Sequence, residues 1–125
     1  MNVIASIHHV SLLVSDTQRA LDFYHGILGL EVDRSRPVMD FPGAWLLAGA
    51  QQIHLIEIPD RVRAATPAAH GGRDWHVALA VSDLDALAAA LTGCGIGYTL
   101  SRSGRRALFC RDPDGNAIEL VELPR

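Results

Sequence analysis

Four residues of this chain are of types that could hold a metal ion, and they recur at matched spacings. His9 opens HVSLLVSD and His76 opens HVALAVSD, an offset of 67 that also relates Asp16 to Asp83. His54 lies within QQIHLIE (51–57) and Glu119 within NAIELVE (116–122), an offset of 65. In that frame Ile53 meets Ile118, Leu55 meets Leu120 and Glu57 meets Glu122. Six matches in the first stretch indicate a duplicated structural unit. Three imidazoles and one carboxylate suit a first-row divalent ion such as Zn, Ni, Fe, Co or Mn.

The elements that must carry these residues follow from periodicity. In 7–15, Val10, Leu12 and Val14 alternate with His9, Ser11 and Leu13, as on a half-buried strand. Ser15 or Asp16 is a good helix N-cap, and 17–29 places Ala20, Leu21, Phe23, Tyr24, Ile27 and Leu28 on one helical stripe that Gly29 ends. Strands are expected over 30–37, 44–49 and 51–58, with Gly49-Ala50 as a hairpin turn. Residues 59–74, rich in Pro, Ala, Gly and charge, read as a linker. The pattern then restarts: a strand over 75–81, a capped Ala/Leu helix over 82–95, and strands over 96–102, 106–112 and 116–123. Alternation turns His54 away from Leu55 and Glu119 away from Leu120. If the leucines pack on a helix, a pseudo-two-fold relation between halves would gather all four candidates on a concave sheet face.

Bulk properties bound the function. The chain has 125 residues, 49% apolar and 20% charged, with a net charge of −3, which is ordinary for one soluble domain. All 11 basic residues are arginine, with no basic block interleaved with aromatics, so nucleic acid is not an expected partner. No apolar run reaches membrane-spanning length, and the start lacks the charged and apolar regions of a signal peptide. Cys94 and Cys110 form no CxxC and no disulfide framework, so a reduced cytoplasmic location is the expectation.

From HHVSLLVSDTQRALDFYHGILGLEV to FCRDPDGNAIELVE, and most specifically in ALDFYHGILGLEV and DPDGNAIEL, the chain resembles the vicinal oxygen chelate superfamily, which includes glyoxalase I, extradiol dioxygenases, fosfomycin-resistance proteins, methylmalonyl-CoA epimerase and bleomycin-binding proteins. The resemblance implies an α+β fold of two βαβββ modules forming a cupped mixed β-sheet. One domain spans 1–125, with module 1 at about 5–58, the linker at about 59–74 and module 2 at about 75–123. It implies one divalent metal ion on His9, His54, His76 and Glu119. The ion would act as a Lewis acid on two adjacent oxygens of a small substrate, with Glu119 as proton-transfer base and His54 as its catalytic partner. It also implies a homodimer in which His9 and His54 of one subunit meet His76 and Glu119 of the other; a site within one chain is the alternative.

The resemblance has limits. Classical glyoxalase I has a carboxylate where His54 stands, an arginine where Leu13 stands and an asparagine where Ile58 stands. These departures weaken a glutathione-derived substrate. His9, His76 and Glu119 also match the two-histidine, one-carboxylate triad of an extradiol Fe(II) dioxygenase, leaving His54 as acid or base. A metal-free ligand-binding protein of the bleomycin-resistance kind is a third reading, against which four metal-competent residues argue.

Other residues carry weaker signals. Phe41, Trp45, Tyr98 and Arg106 are candidate substrate contacts. Arg34, Arg36, Arg73 and Arg105 could also meet an anion, although most surface arginines are simply solvated. His8 is expected on the strand face opposite His9, His25 on the first helix as a surface or packing residue, and His70 solvated in the linker. Cys110 reads as a small packing residue.

Overall fold

The computed structural model describes residues 2–59 and 67–124. The chain folds as two β-α-β-β-β units in sequence. The first comprises β1 (His9–Val14), α1 (Thr17–Leu21) continued by a π-helical segment (Asp22–Ile27), β2 (Glu31–Val32), β3 (Gly43–Ala48) and β4 (Gln51–Glu57). The second comprises β5 (His76–Val81), α2 (Leu84–Gly93), β6 (Thr99–Leu100), β7 (Ala107–Arg111) and β8 (Ala117–Glu122). Each unit forms its own four-stranded mixed sheet, in the orders β1-β4-β3-β2 and β5-β8-β7-β6. The last strand of each unit lies parallel to the first and antiparallel to the one before it.

The repeated Val-Ser-Asp has a local physical role. Asp16 accepts a hydrogen bond from the Arg19 amide at 2.8 Å, and Asp83 accepts one from the Ala86 amide at 3.0 Å, so both aspartates cap helices. The matched glutamates close the same helix starts from the last strand. Glu57 accepts from the Thr17 amide at 2.7 Å and Glu122 from the Leu84 amide at 2.9 Å. Four otherwise orphaned amides are thereby satisfied, and each helix is fastened to its own sheet.

The core follows the alternation. Val14, Leu46, Ile53 and Leu55 from the first sheet join Leu108, Cys110, Ile118 and Leu120 from the second in one buried cluster with Ala20, Phe23, Tyr24, Leu84 and Leu91. Both sheets thus turn their leucine faces toward one shared core. His54 and Glu119 lie on the faces turned away from that core.

Several expected elements are shorter or different. The strand expected over 30–37 stops at Val32, because Asp33 accepts from both the Ser35 amide and hydroxyl, at 2.9 and 2.7 Å, and turns the chain. The strand expected over 96–102 is only Thr99–Leu100, bounded by Gly95 at φ 72° and a serine-rich turn. The first helix widens after one turn: the Leu28 amide donates to the Phe23 carbonyl five residues back, at 3.0 Å.

The linker expected over 59–74 falls partly outside the described residues, at 60–66. Its described end, 67–74, packs on the second sheet. Gly71 is buried there, where a Cβ would come within 2.8 Å of the Ala117 Cβ, so only glycine fits this approach. Arg111 holds the segment, donating to the Ala68 carbonyl at 2.9 and 2.6 Å and to Asp74 at 2.7 Å.

Candidate metal centre

The four candidate residues form two half-sites, one on each sheet. On the first, β4 runs between β1 and β3, and its register sets Trp45 beside His54. The His54 ring is sandwiched. Its centroid lies 3.9 Å from that of His9 at an interplanar angle of 16°, and 4.4 Å from that of Trp45 at 7°. Trp45 therefore lines the half-site and does not close the core.

A polar chain orients His54. Gln52 donates from its amide nitrogen to Asp33 at 2.7 Å, which leaves its amide oxygen 2.8 Å from His54 Nε2. That oxygen only accepts, so the hydrogen sits on Nε2 and the Nδ1 lone pair is left for other work. Burial lowers the His54 pKa, and the neighbouring His9, His8 and Arg36 charges lower it further. The ring is held neutral, the form that binds a metal or accepts a proton.

His8 precedes the regular strand, which begins at His9, so the expected separation of the two rings onto opposite faces does not apply. Their Nδ1 atoms lie 2.9 Å apart, which leaves His9 Nε2 without a protein partner among the described residues.

The second half-site is better enclosed. Glu119 is 3% exposed and sits in register between Ala78 of β5 and Phe109 of β7. His76 donates from Nδ1 to the Asp74 carbonyl at 2.9 Å, which turns Nε2 toward Glu119. Nε2 lies 3.3 Å from Glu119 Oε1. Two ligands at about 2.1 Å from a tetrahedral ion stand about 3.4 Å apart, so this spacing fits a shared first-row metal. The other carboxylate oxygen, Oε2, accepts from Arg105 at 3.2 Å.

The Phe109 ring meets His76 edge-on at 5.1 Å and His70 at 5.0 Å. His70 is half-buried, not solvated as the linker composition suggested, and its Nδ1 lies 2.6 Å from the Thr99 hydroxyl. The 67–75 segment thus forms a wall beside the half-site.

The pairs His9–His54 and His76–Glu119 are each brought together, but not with one another. Among the described residues no cluster of three or more His, Cys, Asp or Glu could hold a metal ion within one chain. A groove of about 740 Å³, lined by Leu28, Leu47, Ala78, Ala80 and Leu87 among others, includes none of the four.

The weaker candidates are placed as follows. Phe41 braces its own loop, with the Arg36 guanidinium 5.7 Å from its ring and bonded to its carbonyl at 2.8 Å. Tyr98 is 38% exposed just before β6. Arg106 pairs with Asp85 at 3.1 Å and Glu122 at 3.3 Å, on the helix side of the sheet. The arginine at Glu119 is its neighbour. His25 is exposed and its Nδ1 lies 2.7 Å from the Leu30 carbonyl, while Cys110 is a core residue whose thiol pKa burial pushes up to about 12. Reasoning from sequence missed Gln52 and Asp33, and it named Arg105 only among several arginines that could meet an anion. The parity of Arg105 with Phe109, opposite that of the core residues Leu108 and Cys110, is the signal that could have separated it from Arg106.

Comparison with known proteins gives these geometries a context. "Glyoxylase I 4" of Arabidopsis thaliana is 29% identical over 122 residues, 94% of this chain and 70% of its own length. The uncharacterized YwkD of Bacillus subtilis is 32% identical over 132 residues, covering 96% of this chain and 98% of its own. In structure, an E126Q variant of the fosfomycin resistance protein FosX from Listeria monocytogenes, complexed with Mn(II) and 1S,2S-dihydroxypropylphosphonic acid, superposes with a TM-score of 0.77. Its identity is 18%, and 98% of this chain and 95% of that chain are covered, which is a likeness of fold. The model of the Glyoxalase/Bleomycin resistance protein/Dioxygenase superfamily matches residues 6–120, and the chain belongs to that superfamily.

Proposed function

We propose that this chain is a metal-dependent enzyme of the lyase or isomerase type, acting on a small molecule with two adjacent oxygens. The observation that carries the reading is the oriented His76–Glu119 pair, with Nε2 and Oε1 3.3 Å apart and the other imidazole nitrogen bonded to a backbone carbonyl. The glyoxalase relative supports the reaction class, and the Mn(II) and vicinal diol in the FosX structure support the cofactor and substrate class. Zn, Ni, Fe, Co or Mn would be held by His9, His54, His76 and Glu119, and when bound would polarise the substrate oxygens as a Lewis acid.

The chain's own groups do the rest. Glu119 takes a proton from the carbon beside a substrate oxygen and returns it to the neighbouring position. His54, kept neutral, contributes its Nδ1 lone pair as ligand or proton acceptor. Phe109 and the 67–75 wall keep water from one side of Glu119. The placement of the half-sites on separate sheets supports a homodimer in which His9 and His54 of one subunit join His76 and Glu119 of the partner subunit. Among the described residues no helix is long and apolar enough to cross a membrane, and two unpaired thiols suit a reduced cytoplasm.

A second reading rests on the His54–Gln52 hydrogen bond. With Nε2 engaged, His54 serves as acid or base, and His9, His76 and Glu119 form the triad of an extradiol Fe(II) dioxygenase. Anaerobic iron loading followed by catechol gives a coloured complex, and ring cleavage in air, under this reading alone.

Elemental analysis of protein purified without added metal or chelator tests the main reading. About one Ni, Zn, Co or Mn per chain, lost in His76→Ala, is the expected result. No metal after reconstitution with each candidate ion contradicts it.

A further inference from the structure

Arg105 differs in kind from the other well-anchored arginines. Arg106 is matched by Asp85 and Glu122, Arg111 by Asp74 and two carbonyls, and Arg36 by the Phe41 carbonyl. Arg105 stands over Glu119 with part of its guanidinium unused. Its Nε donates to the Ser103 hydroxyl at 3.1 Å and its Nη2 to Glu119 Oε2 at 3.2 Å. The Nη1 amino group has no protein partner among the described residues, and the side chain is 62% exposed while that of Glu119 is 4% exposed. A guanidinium has five N–H donors in a planar fork, so donors remain open beside Glu119.

The loop holds the guanidinium in that position. The Ser103 hydroxyl lies 2.8 Å from that of Ser101 and accepts from both the Arg105 amide and Nε, at 3.4 and 3.1 Å. Gly104 at φ 84° permits the tight turn between them.

We propose that Arg105 is the substrate-anion subsite. It receives a carboxylate or phosphonate borne by the same small molecule whose adjacent oxygens the metal would take. The assignment rests on the metal-dependent reading above and names its substrate class. Charge counting supports it: a divalent ion, one carboxylate and one guanidinium sum to two net positive charges. An anionic substrate neutralises that excess beside the buried Glu119 carboxylate, with charge-assisted hydrogen bonds to the guanidinium. Glu119 Oε1 faces His76 and Oε2 faces Arg105, so both roles fit one carboxylate.

The test compares glycerate, a vicinal diol with a carboxylate, with its uncharged methyl ester. Both are titrated calorimetrically into Mn(II)-loaded wild type, Arg105→Gln and Arg105→Lys, with manganese binding followed separately by EPR. The expected result is glycerate binding weakened about tenfold or more in Arg105→Gln, partly recovered in Arg105→Lys, with the ester altered less than about twofold. Equal glycerate affinity with equal manganese content overturns the subsite and leaves the metal reading standing. Loss of manganese from Arg105→Gln also overturns it, because Arg105 would then be organising Glu119. If the wild type binds no manganese, the metal reading falls. The same glycerate comparison on metal-free protein then decides: a tenfold difference supports the subsite and none overturns it.

Discussion

The Tyr24 hydroxyl donates to Asp112 Oδ2 at 2.6 Å, joining residues 88 positions apart. This bond fastens the first unit's π-helical segment to the turn before the second unit's last strand. Asp112 is 5% exposed and also accepts from the Asp114 amide, the Asn116 amide and the Asn116 side chain, at 2.9, 2.8 and 2.8 Å. Asn116 in turn donates to the Leu13 carbonyl at 2.9 Å, so the turn grips β1 as well. Burial raises the Tyr24 pKa well above its ordinary value, and the Asp112 charge adds to the shift, so the phenol stays a donor. Asp112→Ala strands four donors and should cost about 3 kcal/mol, against about 1 kcal/mol for Tyr24→Phe, which removes only one. Urea unfolding measures both; equal losses would show that the turn is not the anchor.

Stability should depend on pH through His54. Burial lowers its folded pKa below the ordinary 6.5, so between these values the unfolded chain binds more protons than the folded one. Stability from this residue is complete above pH 6.5 and falls as the pH drops below it. His54→Gln should flatten the wild-type decline in chemical-denaturation midpoint between about pH 7 and 5. An unchanged slope would mean that His54 is not the group responsible.

The two thiols should react unequally. Cys94 is exposed at the end of α2, whereas Cys110 is buried with its pKa raised to about 12. Native protein should release one equivalent of chromophore from a disulfide reagent at pH 8, and a second only on unfolding. Rapid reaction of both in native buffer would place Cys110 outside the core.

The helix caps offer a test of the duplicated architecture. Asp16→Ala and Asp83→Ala should each cost about 1 kcal/mol, since each removes one amide acceptor in the matched position. A cost confined to one of them would mean that the two units are braced differently. Thermal unfolding of the single and double variants distinguishes these outcomes.

Much of this was legible in the sequence because it is local. Alternation places Leu55 and Leu120 in the core and His54 and Glu119 on the other face, and the two aspartates cap helices where the motif repeats. Three features escaped because they depend on partners distant in the chain or on details of turn geometry. The π-helical segment keeps an ordinary apolar stripe while shifting its hydrogen bonds by one residue. The wall at 67–75 exists because Arg111 reaches Ala68 and Asp74, a contact that a Pro-, Ala- and Gly-rich composition conceals. Gln52 and Asp33 resemble solvated strand and turn residues until the register brings both to His54. What chemistry acts on the substrate is the least legible part, because the fold places the half-sites without naming the reaction.

The central claim is that one metal site takes His9 and His54 from one chain and His76 and Glu119 from another. A doubly tagged dimer pairing His9→Ala/His54→Ala with His76→Ala/Glu119→Ala tests it directly. One of its two shared sites then has every ligand intact and the other has none. The account predicts about one tightly bound ion per mixed dimer, against about two in the wild type and none in either variant alone. A mixed dimer that binds no metal, while the wild type does, would contradict a site shared between chains.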